Sequence, residues 1–116
     1  IVVWVLADHP SLKKKSKKKI SDAAACYVSS ISLAEIEIKK AIGKLEITDD
    51  YIENILESGF EPLHYRFEDA GLLGKLPFHH KDPFARMLVT QAISNNLTLL
   101  TSDQILKTYD LSVIVN

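Results

Sequence analysis

Glu35, Asp82 and Asp103 are the side chains of this sequence whose types and surroundings point most directly to chemistry. Glu35 lies in the first turn of a helix that follows an apolar segment around Cys26. Asp82 stands immediately before Pro83, and Asp103 comes three residues after the apolar run Leu97–Leu100. Carboxylates brought close together repel, so such a cluster needs a proton or a cation between its members. Hard oxygen ligands select Mg²⁺ or Mn²⁺ over Zn²⁺. An ion of that kind activates water and stabilises charge on a phosphoryl group. Each acid also has an ordinary reading as a helix cap that complements the helix dipole. Ser32-Leu33-Ala34-Glu35 has the spacing of a capping box, which gives Glu35 a second local role. Glu37 faces elsewhere on the same helix and reads as a solvated charge.

The elements that must carry these residues follow from periodicity and punctuation. The opening run Ile1–Ala7 is apolar and reads equally as a strand or as part of a buried helix. It is too short for a membrane span and has no basic residues before it, so neither a span nor a secretory signal is expected. Ser11 caps a helix from Leu12 to about Ala23. A buried strand covers Ala25–Val28, and a helix runs from Ser32 through Ile42, with Gly43 as its C′ residue. Asp49 or Asp50 begins another helix that presents Tyr51, Ile52, Ile55 and Leu56 on one face and ends at Gly59. A strand spans Phe60–Leu63, and a short helix follows near Glu68–Leu73. Pro83 opens a helix reaching about Asn95, with an apolar stripe of Phe84, Met87, Leu88, Ala92 and Ile93. Leu97–Leu100 is a strand, Asp103–Lys107 a helical turn, and Ser112–Val115 a final strand. This alternation of helices and short apolar strands predicts an α/β domain with a parallel sheet covered on both faces. In an open parallel sheet, groups at the carboxyl ends of strands converge on one crevice, which is how distant acids meet.

Three stretches carry a resemblance to a known family. Ser30-Ile31-Ser32-Leu33-Ala34-Glu35-Ile36-Glu37-Ile38-Lys39, with Gly43-Lys44-Leu45 after it, resembles the second acidic motif of PIN-domain ribonucleases of the VapC toxin type. Leu76-Pro77-Phe78-His79-His80-Lys81-Asp82-Pro83-Phe84-Ala85-Arg86-Met87-Leu88, followed by Gln91-Ala92, resembles the third motif, H-x-D-P-F-D-R. Leu97-Thr98-Leu99-Leu100-Thr101-Ser102-Asp103 resembles the fourth, a strand ending in T-x-D. Order and spacing agree along the whole chain, as one PIN-like domain over residues 1–116. The resemblance implies a three-layer α/β/α sandwich around a parallel sheet of about five strands. It implies a Mg²⁺- or Mn²⁺-dependent endoribonuclease that cleaves RNA phosphodiesters, the toxin of a toxin–antitoxin pair. A cognate antitoxin protein and a homodimeric assembly are implied with it. Residue by residue, Glu35 matches the acid of the second motif, Asp82 the first Asp of the third and Asp103 the acid of the fourth. Thr101 matches the Thr that orients that last site. Arg86 matches the Arg closing the third motif, as a structural ion-pair partner or a substrate contact.

Two departures qualify the resemblance. The sequence opens at Ile1, where the family's first helix would begin, so the first motif, L-L-D-T-H on a central strand, is not among these residues. The second Asp of D-P-F-D-R is Ala85, which removes fixed negative charge and should lower metal affinity. These departures motivate an alternative, a catalytically impaired PIN-like module that binds RNA or a protein partner.

The remaining features exclude more than they assign. The length suits one domain and not two. The net charge of -1 predicts no polyanion partner by itself. Six lysines fall within residues 13–19, either as a phosphate-attracting segment or as a solvated helix face. They surround that helix and have no aromatic interleaved, so base stacking is not indicated there. The single cysteine, Cys26, excludes an intramolecular disulfide, fits a reducing, cytoplasmic compartment and reads as core. Trp4 also reads as core. The four histidines lack the spacing of a zinc site and read as structural or exposed. No phosphate-binding P-loop, dinucleotide fingerprint or nucleophile elbow is present.

Overall fold

The computed structural model describes residues 25–101, 104–109 and 113–115. The opening run with Trp4 and His9, the Leu12–Ala23 helix with its lysine segment, Asp103 and Ser112 lie outside the described residues.

Strand β1 (Tyr27–Ser29) pairs in parallel with β2 (Glu61–Leu63), Val28 standing opposite Pro62. Proline donates no ladder hydrogen bond, which suits β2 to the edge of a sheet. Between these strands lie helix α1 (Ser30–Ala41) and helix α2 (Tyr51–Glu57), the crossover that a parallel pair requires. Strand β3 (Leu99–Thr101) pairs in parallel with β4 (Val113–Val115) across the 3-10 turn Gln104–Thr108. Helix α3 (Phe67–Gly71), a 3-10 turn at Leu73–Lys75 and helix α4 (Pro83–Ser94) fill the middle of the chain. All four strands expected beyond the opening run are present, each starting one or two residues later than expected, and β1 and β3 each ending one residue later.

Helix ends follow local chemistry, with one correction. Ser29, not Ser32, caps α1: its hydroxyl accepts from the Ile31 amide at 3.0 Å. The helix therefore starts two residues earlier than expected, and Glu35 sits in its second turn, outside a capping box. Gly43 and Gly59 follow α1 and α2 with φ of +75° and +92°, a region that side chains rarely enter. Asp82 caps α4 by accepting from the Phe84 amide at 3.0 Å, and Pro83 occupies the first helical position.

Among the described residues the core has two parts. Val28, Ile36, Tyr51 and Ile55 form one, with Leu33, Leu45, Ile47 and Phe60 packed against them. Leu76, Ala85, Val89, Leu106 and Tyr109 form the other, with Leu99 alongside. Helix α4 packs against α1, α3 and β3. Its buried face is rotated from the expected stripe: Ala85, Arg86, Val89, Thr90, Gln91 and Ala92 are buried, whereas Ile93 is exposed. Cys26 is only half-buried and precedes β1, where its carbonyl accepts from the Glu61 amide. Among the described residues, no helix is long and apolar enough to cross a membrane.

Candidate functional site

Glu35 projects from the second turn of α1 and is partly buried. Its carboxylate pairs with Lys39 one turn on at 3.0 Å. Both side chains reach solvent, so the pair contributes little stability and yields readily to a stronger cation. Asp82 is half-buried at the N-terminus of α4. One of its carboxylate oxygens serves the Phe84 amide, and its own amide donates to His80 Nδ1 at 3.0 Å. Thr101 is half-buried as the last residue of β3, opposite Val115. The helices bearing Glu35 and Asp82 pack against each other. Asp103 lies outside the described residues, and no cluster of three His, Cys, Asp or Glu groups gathers among the described ones.

The loop leading into Asp82 is anchored at several points. The His80 amide donates to the Tyr109 hydroxyl at 3.0 Å, and the His79 ring lies against Tyr109 with centroids 4.9 Å apart. Both histidines thus have structural contacts, as the sequence reading expects. Ala85 is a member of the core, packed with Leu76, Val89, Leu106 and Tyr109. A carboxylate at this position would meet a buried, apolar setting, which penalises its charged form.

Arg86, expected as a structural ion-pair partner or a substrate contact, is held instead by backbone carbonyls. Its guanidinium is buried and donates to three backbone carbonyls: Pro77 at 3.0 Å, and Leu73 and Leu76 at 3.2 Å. It braces the turn before the Asp82 loop through main-chain acceptors.

Arg86 belongs to a polar seam along α4 that the sequence reading missed. Thr90 and Ser94 follow it at intervals of four, with Gln91 beside them. The Tyr65 hydroxyl is 2.8 Å from Thr90 Oγ1, which itself donates to the Met87 carbonyl. The Gln91 amide donates to the Leu63 carbonyl at 3.1 Å, and Arg66 donates to Ser94 at 2.9 Å. The i, i+4, i+8 recurrence of polar residues is the signal that was available.

Asp69 completes this network. It is fully buried and accepts from the Arg66 amide at 2.9 Å and the Arg66 guanidinium at 3.1 Å. Burial pushes its carboxyl pKa up, but hydrogen bonds from the Arg66 amide, Ser94 and the Arg66 guanidinium outweigh that and hold it below the ordinary value. A depressed folded-state pKa means that ionised Asp69 stabilises the fold above its unfolded pKa of about 3.9. That contribution is lost as pH falls through the folded value. Asp69→Asn is therefore expected to melt below wild type at pH 7, with the gap narrowing once the pH drops below about 4. Thermal melts across that range check it, and a constant gap would refute the linkage.

Tyr51 shows the opposite balance. Burial, with the Glu37 carboxylate nearby, pushes its phenol up to about 12, so it stays protonated across the physiological range. Glu37 itself is exposed, as expected of a solvated charge.

An apolar groove of about 120 Å³ runs between α1 and α2, lined by Leu33, Ile52, Leu56, Pro62 and His64 among others. None of Glu35, Asp82 and Thr101 lines it.

Among known protein families, the PIN domain matches residues 1–111. No curated protein sequence gives a significant match. Seven chains of solved structures do. One comes from the crystal structure of VapBC2 from Rickettsia felis, bound to a DNA fragment from their promoter. It superposes with a TM-score of 0.72 at 19% identity, covering 98% of this chain and 92% of that chain. At this identity the likeness speaks for the fold, an α/β arrangement of helices around parallel strands.

Proposed function

Because this chain belongs to the PIN domain family, we propose that it is a metal-dependent endoribonuclease, the toxin of a toxin–antitoxin pair. The observation that supports the reading is the packing of α1, which bears Glu35, on α4, which Asp82 caps.

Glu35, Asp82 and Asp103 would hold Mg²⁺ or Mn²⁺. The donor set fits: carboxylate oxygens are hard ligands, and those of Glu35 and Asp82 are only partly buried. Asp82 gives one oxygen to its helix cap, but a carboxylate retains further acceptor capacity. When bound, such an ion supplies water activation and charge stabilisation at a phosphoryl group. The chain's own groups do the positioning. The α4 cap holds the Asp82 carboxylate at the helix start, and Arg86 braces the preceding turn. Thr101 ends β3 two residues before Asp103.

A small cognate antitoxin is the proposed partner, in keeping with the VapBC2 complex among the structural neighbours. A homodimer and a cytoplasmic location belong to the same reading.

Cleavage of structured RNAs with Mn²⁺ tests the mechanism. Wild type is expected to cleave, and Glu35→Ala and Asp103→Ala to lose most of that activity. Equal activity in all three would end it.

The buried Ala85 favours a second reading, an impaired module that binds RNA or a protein without cleaving. Saturable Mn²⁺ binding that disappears in Asp82→Asn would count against that second reading. Ala85→Asp should raise activity if the site is merely weakened, and leave it unchanged if the fold no longer builds one.

A further inference from the structure

We propose that Phe78 is a stacking platform for one base of a single-stranded RNA, a subsite that rests on the ribonuclease reading above. Phe78 is 81% exposed in the loop between the Leu73–Lys75 turn and α4. Isolated exposed apolar residues are ordinary and need no explanation. This ring differs because one of its faces is held. The Arg86 guanidinium lies 3.9 Å from the ring centroid and is itself buried and tied to three carbonyls. The loop is fastened again by the His80 amide on Tyr109 and by the His79 ring against Tyr109. The aromatic is thus positioned before any ligand arrives, and the face away from Arg86 is open.

A π-face fixed in advance loses little entropy when a base stacks on it. The surrounding charge suits the same ligand. Lys75 and Lys81 stand three residues before and after Phe78 in sequence, and residues 70–81 contain no Asp or Glu. An open aromatic face with lysines three residues to either side of it in sequence is the combination that single-stranded nucleic acid takes: bases stack while phosphates meet positive charge. Asp82 follows four residues later on the same segment, so a base seated on Phe78 keeps the strand beside the proposed acids.

The test is fluorescence anisotropy with a labelled uridine oligomer of about 12 nucleotides in EDTA, so that binding is read without cleavage. Phe78→Ala is expected to weaken binding by about 5- to 150-fold, the range of one lost stacking contact. Phe78→Trp should bind within about threefold of wild type, since it keeps a π-face. Phe78→Leu, which still covers Arg86, should behave like Ala. The salt dependence should be unchanged, because no phosphate contact is removed. An abasic ribose-phosphate tract should bind wild type and Phe78→Ala alike. Phe78→Ala binding within about twofold of wild type overturns the platform. So does an equal loss on the abasic tract, or a wild type that binds no RNA. Cleavage is scored separately. A wild type that binds through Phe78 without cleaving overturns the ribonuclease reading alone. One that cleaves while Phe78→Ala binds normally overturns the platform alone.

Discussion

Asp82→Asn is expected to reduce Mn²⁺-supported RNA cleavage by about 100-fold or more, while its melting temperature stays within about two degrees of wild type. The separation follows from the two roles of this side chain. As a cap, Asp82 accepts from the Phe84 amide. Asn offers a carbonyl oxygen at the same place and ranks with Asp as an N-cap, so the helix start survives. The contact of the Asp82 amide with His80 is made by the backbone and is also retained. What disappears is the negative charge. Charge stabilisation of the kind a divalent ion provides is worth several kcal/mol, and each 1.36 kcal/mol is tenfold in rate. Asp82→Ala is the companion variant. It should lose the same activity and also about 1 kcal/mol of stability, because Ala cannot cap. A labelled RNA assay and thermal melts on the same preparations decide the matter. An Asn variant that cleaves as fast as wild type would leave Asp82 as a cap and nothing more.

The second large effect is on stability. Arg86→Met is expected to destabilise the fold by about 3 kcal/mol, read from the urea midpoint at constant slope. Met keeps most of the apolar packing, so the loss reports the hydrogen bonds together with the guanidinium contact on Phe78. The carbonyls of Leu76 and Pro77 would lose the guanidinium donor and that of Leu73 would keep only the Leu76 amide, and each group left unsatisfied in a buried setting costs roughly 1–3 kcal/mol. The exposed surroundings of Pro77 let water repair part of this, which keeps the expected total below the simple sum. Arg86→Lys should recover less than half of the loss. An ammonium cannot reach three acceptors spread around a planar fork, nor stack in the same way on Phe78. A Met variant within about 1 kcal/mol of wild type would show that the bracing is dispensable.

Much of the architecture was readable along the chain. Pro83 preceded by Asp82 marks a helix start, and Gly43 and Gly59 mark helix ends, because capping and positive φ depend on neighbours within one turn. The strands were expected as short, mostly apolar runs between breakers, within an alternation with helices. Boundaries were less secure. Ser29, Ser30 and Ser32 all offer a hydroxyl near the start of α1, and spacing favoured Ser32. The structure uses Ser29, with α1 starting where β1 ends and Ile36 packed inward on Val28 and Tyr51.

Glu35, Asp82 and Asp103 could be singled out from local motif alone, but the sequence could say nothing about which elements lie against one another. The stripe on α4 was misread because apolar residues were assumed to mark the buried face. Arg86, Thr90 and Gln91 are buried as well, each satisfied by a partner 3 to 28 residues away in sequence. Asp69, fully buried, was equally invisible. Its burial is tolerable only with the Arg66 guanidinium and amide in place, and nothing in Phe67-Glu68-Asp69 announces that. The sequence by itself indicated the order of the described elements and the helix ends at Asp82, Gly43 and Gly59, since these are governed by short-range sterics and hydrogen bonding. Tertiary packing alone decided that Arg86 serves main-chain carbonyls, that Ala85 lies in the core and that Phe78 is held open to solvent. Those outcomes depend on acceptors and surfaces supplied by segments that meet only when the chain folds.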